Sequence, residues 1–366
     1  MKIITVCGTR PELIRMSVTL KKFDSLFDHV FVHTGQNYDY ELNEIFYTDL
    51  DIRKPDYYLN AAGKNLGQTM AKIISKSFDL FVDEKPDAIV ILGDTNSALA
   101  ALSAKRLHIP IFHLEAGNRS FSNQVPEEVN RKIVDAISDI NVCYSQTAKN
   151  NLISEGHTNE TVFVSGSPIK EVFTENKVHI HKSQILSQLK LSSKKYILLS
   201  VHREENVDNI ENLKALVDSV NAVQRKYNLP IIFPMHPRTS KTLAANELAF
   251  NSEVKILKPL GYLDYCFLQL NSLMVISDSG SIVEESYILG FRAISLRKQI
   301  ERQEGIESNT VIMSGLFTEN LLLAINAVLN STSNNKIPDY DRADFSDTII
   351  KLIISYHPYV HARKFN

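Results

Sequence analysis

Three carboxylates stand where short apolar runs end. They are Asp94 in Leu92-Gly93-Asp94-Thr95-Asn96, Glu115 in His113-Leu114-Glu115-Ala116-Gly117-Asn118-Arg119-Ser120-Phe121, and Glu127 in Pro126-Glu127-Glu128-Val129-Asn130-Arg131. Gly-Asp-Thr by itself reads equally well as a turn with a helix cap, and Pro-Glu-Glu as a helix start whose acids suit the helix dipole. The loop from Gly117 to Val125 is short, however, and joins a strand end to that helix start. Glu115 and Glu127 therefore stay on the same rim as Asp94. Carboxylates gathered on one rim are costly as structure and useful as acid and base. His113 and Glu115 share a strand face by the two-residue period, but no third ligand lies near them in sequence, so no metal site is expected.

Groups suited to anions cluster elsewhere. Cys7-Gly8-Thr9-Arg10-Pro11-Glu12 follows the first apolar run. Thr9 and Glu12 fit a capping box with Pro11 in the first helical turn, and the loop amides with Arg10 could hold an anion. This segment is neither a dinucleotide fingerprint nor a P-loop. In the second half, Val201-His202-Arg203-Glu204 and Met235-His236-Pro237-Arg238 each put a histidine beside an arginine at a strand end. Ser277-Asp278-Ser279-Gly280-Ser281-Ile282-Val283-Glu284-Glu285 offers a second capping box, Ser281 with Glu284. Ser279, Gly280 and Ser281 would then present amides at a helix N-terminus, a cradle for a diphosphate, with Arg297 and Arg302 as counter-charge. Glu285, one turn further, suits ribose hydroxyls. The second half reads as the holder of a nucleoside diphosphate.

The elements that must position these groups are legible as nearly continuous apolar runs. They fall at 3–6, 30–33, 88–92, 111–114, 140–144 and 162–164, then at 196–201, 231–235, 254–257, 273–276, 293–296 and 310–312. Continuous rather than alternating runs mark strands buried on both faces, hence parallel sheets flanked by helices. The pattern predicts an α/β chain of two doubly wound, Rossmann-like domains in tandem, 1–167 and 168–344, divided near Gly166-Ser167-Pro168. An isoleucine-rich helix is expected over 348–356, in a terminal segment 345–366 that packs on the first domain. Ligands of such sheets bind beyond the carboxyl ends of the strands, so the two domains are expected to face each other across a cleft.

Composition excludes several classes of function. The 366 residues carry 40 basic and 42 acidic side chains, a net charge of −2, which lacks the electrostatic footprint of a nucleic-acid binder. Hydrophobic residues make up 44% and charged residues 22%, too apolar for a disordered chain. The three cysteines Cys7, Cys143 and Cys266 build no disulfide framework or zinc knuckle. No run approaches the roughly 18 apolar residues of a membrane span, and the opening MKIITVCGTR reads as a buried strand rather than a signal peptide. The expectation is a cytoplasmic protein with no membrane or nucleic-acid partner.

Taken in order, GTRPE, GDT, HLEAG, PEEVNR, His202-Arg203-Glu204 and DSGSIVEE stand at the spacings of one family. Over essentially its whole length the chain resembles the non-hydrolysing UDP-N-acetylglucosamine 2-epimerases. The resemblance implies a GT-B type fold around a central cleft, a homodimer, and a UDP-linked 2-acetamido sugar as substrate. It implies elimination of UDP with loss of the C2 proton, a glycal intermediate, and return of UDP with protonation on the opposite face. It puts Asp94, Glu115 and Glu127 at the family's catalytic carboxylates and His202 at its functional histidine. It matches Arg10, His202, His236, Ser279, Gly280, Ser281, Glu285 and Arg302 to positions that bind UDP or its diphosphate. Arg15, Asn118, Arg119, Arg131 and Arg203 are taken with them as substrate contacts. No metal, nicotinamide or other cofactor is implied.

The departures narrow the branch. Arg15 stands where the family commonly has lysine, Ser281 where it has a second glycine, and Asn118 within a loop that usually reads EAGLR. Gly35-Gln36-Asn37-Tyr38-Asp39-Tyr40 replaces a histidine-containing stretch of a regulatory site in some bacterial members. The GNRSF loop and GQNYDYELNE resemble the branch that converts UDP-2-acetamido-2,6-dideoxy-L-talose to UDP-N-acetyl-L-fucosamine ahead of capsule or O-antigen assembly. The alternatives are epimerisation of UDP-N-acetylglucosamine to UDP-N-acetylmannosamine, a hydrolysing epimerase, a GT-B glycosyltransferase, or a catalytically silent UDP-sugar sensor. Asp339-Tyr340-Asp341 superficially matches a transferase DxD, but its place after Ile337-Pro338 reads as a loop.

Overall fold

The computed structural model describes residues 1–35, 40–122, 125–331 and 335–365, and among these the strands form two all-parallel sheets. The chain divides into two compact units, Met1–Glu175 with Pro338–Asn366, and Asn176–Ile337. In the first unit β1 (Lys2–Cys7), β2 (Asp28–His33), β3 (Tyr57–Tyr58), β4 (Ala88–Leu92), β5 (Ile111–Leu114), β6 (Ile140–Cys143) and β7 (Val162–Val164) lie in the order β3-β2-β1-β4-β5-β6-β7. In the second, β8 (Ile197–Ser200), β9 (Ile231–Pro234), β10 (Val254–Leu257), β11 (Met274–Ser277), β12 (Ala293–Ser295) and β13 (Val311–Met313) lie in the order β10-β9-β8-β11-β12-β13. Both are doubly wound, Rossmann-like sheets. Each order reverses at one place, between β1 and β4 and between β8 and β11. Such a reversal sends the following loops to opposite faces and opens a crevice beyond the carboxyl ends.

The apolar runs become strands because helices cover both faces. Ile4, Val6, Ile89, Ile91 and Ile111 pack with Ile73, Phe81 and Ala101 in the first unit. Ile197, Leu199, Phe233 and Ile276 pack with Leu213, Leu216, Val220 and Leu321 in the second. Each such large side chain contributes roughly 1.5–3 kcal/mol by leaving water, so the strand ends are set in rigid frames. β3 was not expected from the sequence. Its two residues pair with Val32 and His33 at the sheet edge, and two residues carry no readable period.

The helix Phe345–Val360 belongs to the first unit. Ser346 Oγ lies 2.9 Å from Thr19 Oγ1 on the helix Arg10–Leu26, and Glu171 accepts the Ser346 N–H at 2.9 Å and its hydroxyl at 2.6 Å. Asp339-Tyr340-Asp341 lies in the single turn Pro338–Asp341, where Asp339 accepts the Gln146 N–H at 2.8 Å.

Candidate active site

The reversal between β1 and β4 brings together the loops that begin at Gly8 and Gly93. Gly8 is required by close approach: a Cβ there would sit 1.9 Å from Ser97 Oγ and 2.2 Å from Thr34 Oγ1, hydroxyls themselves 2.8 Å apart. Gly93 turns the chain with φ +74°, the left-handed region that favours glycine. Glu12 ties the two loops together. Its Oε2 accepts the Gly8 and Thr9 N–H groups at 2.5 and 2.8 Å, and its Oε1 accepts the Thr95 hydroxyl at 2.6 Å. Burial pushes its carboxyl up to about 7, against the three hydrogen bonds and with a small push from Asp94.

Asp94 follows Gly93 and is ion-paired to Arg131 from the helix Pro126–Ile137. Arg131 is 1% exposed; it also donates to Glu128 at 2.8 Å and to the Asn118 carbonyl at 3.1 Å. Asn130, beside it, donates to the Asp94 carbonyl at 3.1 Å. Proline and two acids open that helix as its dipole favours, and its second turn delivers Asn130 and Arg131 to Asp94. Glu115 follows β5 with φ +65°, a conformation that costs a non-glycine residue roughly 1–2 kcal/mol. Its carboxylate is ion-paired to the buried Arg15, whose guanidinium also lies 5.8 Å from the Tyr144 ring. Among the described residues, Glu127 Oε2 is buried without a hydrogen-bond partner.

A second, deeper set of charges braces this rim from below. His113 is fully buried, with Nε2 2.8 Å from the Gly93 carbonyl and Nδ1 2.9 Å from Asp135. Asp135 also lies 2.7 Å from Arg119. Burial would raise the Asp135 carboxyl, but His113 and Arg119 outweigh it and hold it below the ordinary range.

In the second unit, β8 and β11 end in Val201-His202-Arg203 and Asp278-Ser279-Gly280-Ser281. Asp278 is fully buried and accepts the His202 N–H at 3.1 Å, the Arg203 N–H at 3.0 Å and Asn206 Nδ2 at 2.9 Å. The His202 ring is 55% exposed, with Nδ1 3.3 Å from Asp278. Arg203 Nε donates to the Asp278 carbonyl at 3.1 Å. His236 is half-buried just before the helix Pro237–Ala245. Ser279 and Ser281 bond to each other through their hydroxyls at 2.8 Å at the start of the helix Ile282–Leu289. Glu285 accepts the Ser281 hydroxyl at 2.6 Å and Gln269 Nε2 at 2.6 Å. A Cβ on Gly280 would lie 3.2 Å from Arg302 Nη1 and 3.4 Å from Arg297 Nη1, so both guanidiniums converge on this loop.

Comparison with known proteins decides what frame this is. A family model described as UDP-N-acetylglucosamine 2-epimerase matches residues 21–354. This chain belongs to that family. A UDP-N-acetylglucosamine 2-epimerase of Methanococcus maripaludis is 38% identical over 92% of this chain and 95% of its own. A UDP-2,3-diacetamido-2,3-dideoxy-D-glucuronate 2-epimerase of Pseudomonas aeruginosa is 34% identical over 91% and 93%. The structure of the Rickettsia bellii UDP-N-acetylglucosamine 2-epimerase superposes with a TM-score of 0.92 at 41% identity, over 100% of this chain and 99% of that one. That of the Methanocaldococcus jannaschii enzyme, solved in complex with UDP-GlcNAc and UDP, gives 0.91 at 34%, over 97% and 100%. The family is one of isomerases.

Of the residues that the epimerase resemblance selects, the structure gathers Arg10, Arg15, Asp94, Glu115, Glu127, Asn118 and Arg131 around the strand ends of the first sheet. It gathers His202, Arg203, His236, Ser279, Gly280, Ser281 and Glu285 around those of the second. Three expectations change. Arg119 does not offer its guanidinium to a ligand: it is 1% exposed and spans Asp135 and Glu155, the latter at 2.7 and 2.5 Å. Arg302 is likewise buried, held 3.1 Å from Glu284 and donating to the Gly280 carbonyl at 3.0 Å, so it shapes the loop. That pairing removes Glu284 from the expected box with Ser281, whose φ −73° and ψ −11° are helical rather than the extended values a capping side chain needs. Within the stretch 35–40, residues 36–39 lie outside the described residues. Glu12 and Asp278 were not assigned to the site from sequence, Glu12 being read as a helix cap alone. A carboxylate directly after a strand, or in the first turn of the helix that follows one, is the signal for both. Among the described residues no three histidines, cysteines or acids come together as a metal site, and no helix is long and apolar enough to cross a membrane.

Proposed function

We propose that the chain is a non-hydrolysing UDP-sugar 2-epimerase in which Asp94, Glu115 and Glu127 supply the acid–base groups and His202 assists the departing diphosphate. The observation that carries this reading is the rim of the first sheet. Among the described residues, two of its carboxylates have guanidinium partners, and the third has a buried oxygen with no hydrogen-bond partner. Inversion at C2 needs a base on one face and an acid on the other, which a single carboxylate cannot be. Loss of the C2 proton with departure of UDP leaves a glycal, and UDP returns as a proton is delivered to the other face. The largest reduction in the barrier comes from cations and amides that meet the developing diphosphate charge. Arg10, Arg203, His236 and the Ser279-Gly280-Ser281 loop are the groups for that task, with Glu285 for the ribose.

The substrate favoured by the Asn118-Arg119-Ser120-Phe121 loop is the UDP-2-acetamido-2,6-dideoxy-L-talose and UDP-N-acetyl-L-fucosamine pair, in capsule or O-antigen synthesis, with a cytoplasmic homodimer as the working form. A 6-deoxy sugar exchanges a hydroxymethyl for a methyl, and Asn118 in place of leucine changes the loop beside it. A second reading, UDP-N-acetylglucosamine to UDP-N-acetylmannosamine, is supported by the names of most relatives. Proton NMR in D₂O with each nucleotide tests both. Exchange at C2 and a new epimer with the fucosamine nucleotide alone supports the first; exchange with the glucosamine nucleotide selects the second. No exchange with either, in protein that still binds UDP, refutes the epimerase reading and favours a transferase or a sensor.

A further inference from the structure

Glu12 holds more than a helix start. Its two amide donors, Gly8 and Thr9, cannot reverse, so Oε2 must accept in every protonation state and a proton can sit only on Oε1. The partner of Oε1 is the Thr95 hydroxyl at 2.6 Å, and Thr95 Oγ1 also accepts the Ser97 N–H at 3.2 Å. When Glu12 is ionised, the Thr95 hydrogen points inward to it. When Glu12 is neutral, its own O–H donates to Thr95 Oγ1. Both lone pairs of that oxygen are then taken, so the Thr95 hydrogen must turn away from Glu12. Thr95 is half-buried on the rim, next to Asp94.

We propose that Glu12 is a positioning residue that sets the direction of the Thr95 hydroxyl, and that with Glu12 neutral this hydroxyl donates to an oxygen of the bound sugar nucleotide. The proposal rests on the epimerase reading for the identity of its ligand. Burial puts the Glu12 carboxyl near 7, so both states are populated at neutral pH. Asp94, on the loop after β4, favours the neutral form, and the Cys7 thiol at the end of β1 is pushed up by burial and by Glu12 itself. On its own helix, Arg10 lies 5.9 Å from the Phe46 ring and Arg15 pairs with Glu115, while Arg131 from the neighbouring helix pairs with Asp94. An anionic ligand arriving at the rim adds negative charge, which favours the neutral acid further, so binding draws a proton onto Glu12.

Glu12→Gln and Thr95→Val separate the two halves of the idea. Glutamine reproduces the neutral acid, with its oxygen accepting both amides and its NH₂ donating to Thr95, so the variant folds. In the wild type, kcat/KM is expected to fall about ten- to hundredfold across a step centred near 7, the factor for one hydrogen bond to a charged acceptor. Glu12→Gln is expected to lose that step and keep the low-pH value at all pH. Thr95→Val is expected to lose it and stay at the high-pH value. A step that persists in Glu12→Gln, or a Glu12→Gln enzyme fixed at the high-pH value, overturns the proposal. Selective ¹³C labelling of glutamate carboxyls gives a readout independent of turnover, the Glu12 signal being the one lost in Glu12→Gln. It is expected to titrate near 7 and to move in Thr95→Val; titration in the ordinary carboxylate range overturns the pairing. If neither nucleotide is turned over while the carboxyl behaves as expected, the epimerase reading fails and the Glu12–Thr95 coupling stands.

Discussion

Replacing Arg131 by methionine isolates what one buried cation does for the rim. The guanidinium, 1% exposed, is shared by Asp94 and Glu128, and Glu128 is fully buried. Methionine fills similar space but, among the described residues, leaves Glu128 with the Ser120 N–H at 2.9 Å, its hydroxyl at 3.1 Å, and Lys132 at 3.6 Å on a side chain 45% exposed. Removing one partner of a buried pair costs about 3–5 kcal/mol, because the remaining charge stays out of water. For a unit of this size that is a fall in unfolding midpoint of roughly 6–20 °C. The chain has no tryptophan, so far-UV circular dichroism in heat and urea is the natural assay, with the loss expected in the transition of the first unit. Adding Glu128→Gln removes the stranded charge and is expected to recover about half of the loss or more. Activity is expected to stay low in the double variant, since Asp94 still lacks its guanidinium. The reasoning is refuted if Arg131→Met costs under about 1 kcal/mol, the value of a surface pair, or if the double variant is no more stable than the single.

Gly8→Ala is expected to cost about 1–3 kcal/mol by driving a methyl into Ser97 Oγ and Thr34 Oγ1, read as a lower thermal midpoint that Ser97→Ala partly restores. Asp278→Ala strands the His202 and Arg203 N–H groups and Asn206 Nδ2, so calorimetry should find UDP bound about tenfold more weakly or worse. The Asp135 carboxyl is held below its ordinary 3.8, so its stabilisation is present above that value and is lost as pH falls through the folded one. The unfolding midpoint of the first unit should therefore drop on the acid side, and Asp135→Asn should flatten that limb while lowering the plateau near neutral pH.

What the sequence made legible, and what it hid, divides by range. Strands buried on both faces must be apolar at every position, so their runs could be located from composition within a few residues, whereas Tyr57–Tyr58 pairs through two residues at an edge and leaves no pattern. Asp94, Glu115 and Glu127 could be singled out because each stands within two residues of a strand end or opens a helix. The cations that pair with Asp94, Glu115 and Glu284 could not be. Arg131 and Asp94, Arg15 and Glu115, and Arg302 and Glu284 are joined only by the tertiary fold. Arg119 illustrates the cost of that blindness. An arginine in a loop beyond a strand looks available to a ligand, and nothing local announces that Asp135 and Glu155 lie on either side of it.

The two units solve one topological problem in the same way. Where a doubly wound sheet reverses, the loops after two adjacent strands leave in opposite directions, and nothing in the strand ladder fixes one loop against the other. In the first unit Glu12 accepts two amides from the loop after β1 and a hydroxyl from the loop after β4. In the second, Asp278, itself on the loop after β11, accepts two amides and a side-chain amide from the segment after β8. A carboxylate suits this place because it is the one side chain that is all acceptor, and strand-end loops turn their N–H groups inward. It also leaves negative charge at the base of a crevice meant for an anionic ligand, a cost that a neutral acceptor would avoid. In the first unit that cost is relieved by a carboxyl poised near 7, which can take up a proton. In the second it is offset by donors alone, three of them on a fully buried group. The carboxyl poised near 7 lies under the rim of the first unit, and it is there that the proposed proton-linked control of ligand binding would act.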